Sequence, residues 1–197
     1  MSMRVLVIPE DFARDQFVLR PIVKRMLAEA GYPRAALEIC PDERLSGISR
    51  ATDWTIISSI LDDYRAMVNL FLLCVDRDGD ENRRASLDYI ERQARAALPA
   101  GRLLLAENAW QEIEVWVLAG HDLPSSWGWH SVRSEVNPKE AYFEPFARQR
   151  GVDGDPDGGR KILADEAARR YDRIRQLCPE DVASMENRIR AGLSPKT

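Results

Sequence analysis

Asn69–Asp80 reads NLFLLCVDRDGD. Its apolar run has the length and composition of a buried strand. The run stops at aspartates on alternate positions, Asp76, Asp78 and Asp80. Carboxylates crowded where a strand leaves the core repel one another unless a cation or protons neutralise them. In open α/β sheets that place is also where ligands bind. A divalent-metal site at the end of a buried strand is therefore the first expectation.

The surrounding pattern supports a strand there. Arg4–Ile8 (RVLVI) reads as a first buried strand, followed at once by Pro9, Glu10 and Asp11. From about Asp15 to Ala30 the apolar residues keep helical spacing, with Gly31 as a stop and Pro21 predicting a kink or a later start. Ala36–Cys40 is a short second strand, Ile56, Ile57, Ile60, Leu61 and Tyr64 mark a helix, and Leu87, Ile90, Ala94 and Ala97 mark another. Arg102–Ala106 (RLLLA) is a further strand. Strand and helix alternating in this way predict a largely parallel sheet covered by helices. The second half reads as helical: Trp110–Ala119, Lys139–Arg150, a helix through Leu163, Ala167, Tyr171 and Ile174, and a last one opened by Pro179, with loops at Pro124–Gly128 and Gly151–Gly159.

Composition narrows the class. With 197 residues, 45% hydrophobic and 30% charged, the chain can bury a sound core and matches an ordinary soluble domain. The opening MSMRVLVIPE has no signal-peptide pattern, and no apolar run approaches the roughly 20 residues of a membrane span. Cys40, Cys74 and Cys178 are odd in number and widely spaced, which predicts reduced thiols in a cytoplasm. A net charge of -4 does not advertise a nucleic-acid binder, although the basic residues are nearly all arginine. A Ser/His/Asp spacing, a Walker loop and a zinc pattern are all missing, so any ATPase activity would belong to a partner.

Three site types share the look of DRDGDEN. An EF-hand loop needs glycine at position 6 and glutamate at position 12, where this chain has Glu81 and Leu87. A haloacid-dehalogenase-like phosphatase would use Asp76 as nucleophile and Asp78 as acid/base; the later acidic run at Asp153, Asp155 and Asp157 has no strand before it, which makes this the second enzyme expectation. The third type joins two strands: Glu10 after the first and Asp76/Asp78 after the third converge on one edge of a parallel sheet. Asp80 is better read as a residue at the start of the next helix.

The third arrangement resembles the Toprim domain of topoisomerases, bacterial primases and the overcoming-lysogenization-defect class of nucleases, whose signature is a glutamate after the first strand and Asp-x-Asp after the third. The resemblance covers about Met1–Ala106. Gln111–Gly120 (QEIEVWVLAG) and Gly158–Glu180 are similar to segments of small uncharacterised Toprim-like proteins encoded beside ATPases and in phage-defence islands. Those relatives carry an aspartate directly after Leu-Ala, where this chain has Gly120 and then His121–Asp122.

The resemblance implies a Toprim-like, Rossmann-like core over residues 1–122 with a helical extension over 123–197 packed on it. It implies a cytoplasmic nuclease dependent on Mg2+ or Mn2+ that cuts DNA or RNA, in phage defence or DNA repair, with an ATPase as a further partner. Asp76, Asp78 and Glu114 would hold metal, and Glu10 would be a ligand or general base. Glu114 is preferred to Glu112 because residues two apart on a helix diverge by about 200° and because it matches the relatives' glutamate before tryptophan. Lys161, opening a helix after Gly158-Gly159-Arg160, could meet a phosphate. Arg148, Arg150 and Arg160 head a basic strip that continues in Arg169, Arg170 and Arg173, and His121 and His130 are not expected to be ligands. The competing non-enzyme expectation is an interaction subunit of an ATPase complex.

Overall fold

The apolar run at the centre of the sequence becomes the centre of a sheet. The computed structural model describes residues 3–193, so the first two and last four residues of the expected domains lie outside it. Four parallel strands, β1 (Arg4–Pro9), β2 (Ala36–Ile39), β3 (Leu70–Asp76) and β4 (Leu103–Ala109), lie in the order β2-β1-β3-β4. Because side chains alternate along a strand, a buried strand covered on both faces is apolar at every position. Leu70, Leu72 and Cys74 of β3 enter one core cluster, and Phe71, Leu73 and Val75 enter the other. The fold is thus α/β and Rossmann-like.

Helix α1 (Phe12–Glu29) covers the first face; α3 (Trp54–Tyr64) and α4 (Arg83–Ala97), with the short α2 (Ile48–Ala51), cover the second. Helix α1 starts three residues before the expected Asp15 and runs through Pro21. Its start is fixed by a reciprocal cap: Asp11 accepts from the Ala13 N–H at 2.8 Å, and Asp15 accepts from the Asp11 N–H at 2.8 Å. Six fully or nearly fully buried residues, from Val18 to Leu27, hold the helix to the sheet and outweigh the proline's missing hydrogen bond.

The second half packs on the α1 face. It comprises α5 (Glu114–Ala119), α6 (Trp129–Ser134), a π-helical turn Lys139–Phe143 leading into α7 (Glu144–Gln149), α8 (Arg160–Ala168), α9 (Tyr171–Leu177), and a second π-helical turn Pro179–Ala183 leading into α10 (Ser184–Leu193). The expected Lys139–Arg150 helix changes register where Pro145 has no N–H to give. Glycine lets α5 and α8 touch: a Cβ on Gly120 would lie 2.4 Å from the Ala167 Cβ and 2.5 Å from its Cα. Cys40, Cys74 and Cys178 are free and buried. No helix among the described residues is long and apolar enough to cross a membrane.

Candidate metal centre

Chain order and sheet order diverge between β1 and β3. The chain leaves β1 towards β2 on one side, then returns to place β3 on the other. Such a switch point opens a crevice beyond the strands' C-terminal ends. Glu10 follows β1 and Asp76 ends β3, and they meet directly: the Asp76 N–H donates to Glu10 Oε2 at 3.1 Å. Around them lies a cavity of about 430 Å³ that also takes in Arg14 and Asp15 of α1, Glu112, Glu114, Lys139 and Arg160.

Asp76, Asp78 and Glu112 each offer an oxygen, and these oxygens lie within 4.8 Å of one another. Two loops set that spacing. After β3 the chain turns through Asp78 at φ 51°, and after β4 through Gln111 at φ 75°, both in the left-handed region that side chains rarely adopt. Gln111 joins them: its carbonyl accepts from the Arg77 N–H at 2.7 Å and the Asp78 N–H at 3.2 Å, and its side chain accepts from the Gly79 N–H at 2.8 Å. Asp76 Oδ1 accepts from the Ile113 N–H at 2.9 Å, a fourth hydrogen bond between the same two segments.

Gln111 also corrects the expected Trp110–Ala119 helix. A left-handed residue cannot continue a right-handed helix, so α5 begins only at Glu114 and Glu112 stays in the loop. The divergence of two helical neighbours therefore does not apply, and both glutamates reach the cavity. Glu112 joins the two aspartates, with its Oε2 accepting from the Lys139 N–H at 2.8 Å. Glu114, the expected metal ligand, is instead paired with Arg160, whose Nη2 and Nε donate to one carboxylate oxygen at 2.7 and 3.1 Å.

Burial, with mutual repulsion at several of them, raises the proton affinity of Asp76, Glu10, Asp78, Asp15 and Glu112. Burial, then the charges of Glu114, Asp15, Glu10 and Asp78, push Asp76 well above the usual carboxylate range. Burial raises Glu10 against the opposing Asp76 N–H, and raises Asp78 against the nearby Arg83. Asp15 is pushed up to about 7 by burial, with Glu114, Asp11 and Glu10 adding to it and the Asp11 N–H opposing. Glu112 is likewise pushed up to about 7, chiefly by burial and against the Lys139 N–H. An all-oxygen set of crowded carboxylates suits a hard divalent cation, and the donors of Asp76, Asp78 and Glu112 fit Mg2+ or Mn2+ by type.

Of the remaining expected site residues only Arg160 lines the cavity. Lys161 is on the outer side of α8, its side chain 64% exposed and 3.4 Å from Asp165. The turn of the helix that buries Arg160 carries its neighbour out of the cavity. Arg160 is itself no surface cation: its guanidinium lies over the Phe143 ring and donates to the Asp157 carbonyl as well as to Glu114. Arg148 is exposed on α7, and Arg150 pairs with Glu166 at 2.8 Å. Arg170 and Arg173 both pair with exposed Asp122, so the acid after His121 lies outside the centre. His121 Nε2 lies against the Leu163 carbonyl, and its ring is buried against Phe146.

Arg14, Asp15 and Lys139 were not singled out from sequence. The first two had a usable signal: the first turn of a helix following a parallel strand must stand at the same sheet edge as the strand's end. Lys139 had none, since it arrives from a distant loop. No protein-family model, no curated protein sequence and no solved structure matches this chain.

Proposed function

We propose that this chain is a Toprim-type phosphodiesterase that hydrolyses nucleic acid with Mg2+ or Mn2+. The observation that carries it is the convergence of Asp76, Asp78 and Glu112, with Glu10 beside them, at the switch point of a parallel sheet. The order of those residues, a glutamate after the first strand and Asp-x-Asp after the third, supports the same family resemblance. Asp76, Asp78 and Glu112 would hold the cation, which when bound supplies charge stabilisation at phosphorus and lowers the pKa of water.

The chain's own groups fit the rest of the reaction. The Glu10 carboxylate accepts the Asp76 N–H through Oε2 and also interacts with the Ile48 N–H, and it stands where it can take a proton from an attacking water. Its raised pKa makes it a better base than an ordinary exposed carboxylate. Arg14 and Lys139 line the same cavity and can face the phosphoryl oxygens, Lys139 by exchanging its ion pair with Glu140 at 3.1 Å. The Arg160–Glu114 pair is a positioning element: it anchors α8 to α5 and closes one wall. Asp76 suits a ligand better than a phosphoryl-accepting nucleophile, because it is deeply placed and Oδ1 already holds the Ile113 N–H.

The test is cleavage of single- and double-stranded DNA and RNA with Mg2+ or Mn2+, and with EDTA. Asp76→Asn, Asp78→Asn and Glu112→Gln should abolish metal-dependent cleavage while leaving the circular dichroism spectrum unchanged, and Glu10→Gln should cost about 10²–10⁴-fold. Full activity in Asp76→Asn would refute the assignment.

A further inference from the structure

Beside the acidic cavity runs a second, larger hollow of about 730 Å³ between α1 and α8. The two adjoin residue by residue. Asp15 and Arg160 line the cavity, and the next residues, Gln16 and Lys161, line the hollow. From Arg14 at the cavity to Lys24 in the hollow is ten residues, about 15 Å along the helix axis.

The hollow is basic in a chain of net charge -4. Arg20, Lys24, Arg25, Lys161 and Arg169 line it against a single carboxylate, Asp165. Arg25 is drawn to Glu29 at 2.6 Å and Lys161 to Asp165 at 3.4 Å. Arg20, Lys24 and Arg169 are exposed, and among the described residues none of the three has an ion-pair partner. Structural arginines elsewhere in this protein are paired, as Arg133, Arg160, Arg170 and Arg188 show. The floor is different: Phe17 and Pro21 present half-buried apolar surface between the cations.

We infer that the α1–α8 hollow is the track of a single nucleic-acid strand leading into the acidic cavity. This rests on the nuclease reading above and adds to it the strandedness and path of the substrate. Unpaired cations follow a phosphate backbone, and an apolar floor accepts the faces of unpaired bases, a combination that serves single strands. A duplex has its bases stacked inside and cannot use the floor.

The experiment is fluorescence anisotropy with a labelled single-stranded DNA of about 16 nucleotides, in EDTA so that nothing is cut, over a range of KCl concentrations. Arg20→Glu/Lys24→Glu is compared with wild type and with Arg92→Glu/Arg95→Glu, an equal charge change on exposed positions of α4. The track predicts at least tenfold weaker binding for the first double variant only, with the log–log salt slope reduced by about 1.4, near 0.7 for each of two lost phosphate contacts. Phe17→Ala should weaken the single strand more than a duplex of the same sequence. Equal weakening in both double variants, or none, overturns the track and leaves the nuclease reading to the Asp76→Asn test. Binding to phosphatidylserine vesicles without binding to the oligonucleotide also overturns it. Groove-dependent binding by a wild-type protein that cuts nothing with Mg2+ or Mn2+ would keep the track and remove the nuclease.

Discussion

Replacing Asp15 by asparagine should make the metal-free protein more stable at alkaline pH and leave it unchanged in acid. The carboxyl of Asp15 is half-buried, and burial together with Glu114, Asp11 and Glu10 pushes it from 3.8 to about 7. A carboxyl whose folded pKa is raised favours folding when protonated. That contribution is full below the unfolded value, near pH 4, and is lost as pH rises through about 7. A shift of about three units corresponds to about 4 kcal/mol, and solvent screening reduces the expected figure to about 2–4 kcal/mol. Asparagine keeps an oxygen for the Asp11 N–H, which donates to Asp15 at 2.8 Å, so the helix cap survives. Thermal unfolding in EDTA should then show a Tm higher by roughly 5–15 °C at about pH 8 and no difference at about pH 4. An equal gain at both pH values would place the effect in packing or capping instead of charge. No gain at the higher pH would refute the burial of repulsion at this site.

Three further variants probe how α8 is held against α5. Arg160→Met leaves Glu114 buried without its partner and should cost about 3–5 kcal/mol in urea unfolding, whereas Arg160→Met/Glu114→Leu should recover most of the loss, because removing both charges removes the desolvation penalty too. Gly120→Ala drives a methyl against the Ala167 backbone and should lower the urea midpoint by the equivalent of about 1–3 kcal/mol; unchanged stability would mean that α5 and α8 are not in the contact described.

The parallel core was legible because its strands are covered on both faces. Leu70–Val75 and Leu103–Ala106 are therefore unbroken apolar runs, a signal that survives without tertiary information. The acid cluster was half legible for a related reason. Glu10, Asp76 and Asp78 follow such runs directly, and parallel strands bring their ends to one edge. What stayed hidden was backbone conformation and helix phase. The apolar spacing of Ile113, Trp116 and Val117 continues backwards past Gln111, and nothing in that spacing reveals a φ of 75°, so Glu112 and Glu114 exchanged places. Arg160 and Lys161 are adjacent cations at one helix start. Which of them turns inward depends on how α8 meets α1 and α5, and that contact comes from residues far away in the chain.

The clamp built on Gln111 fixes more than a spacing. With Arg77, Asp78 and Gly79 tethered to one residue, and Ile113 tethered back to Asp76, the loops after β3 and β4 form a single rigid jaw. Its three carboxylates are ordered when the chain folds, before any ion arrives. On the proposed metal-binding reading, an ion would displace protons and water from a site whose loops are already tied together. If the three carboxylates hold a cation as proposed, that fixed spacing would favour a narrow range of ionic radii, set by a glutamine that supplies no ligand atom.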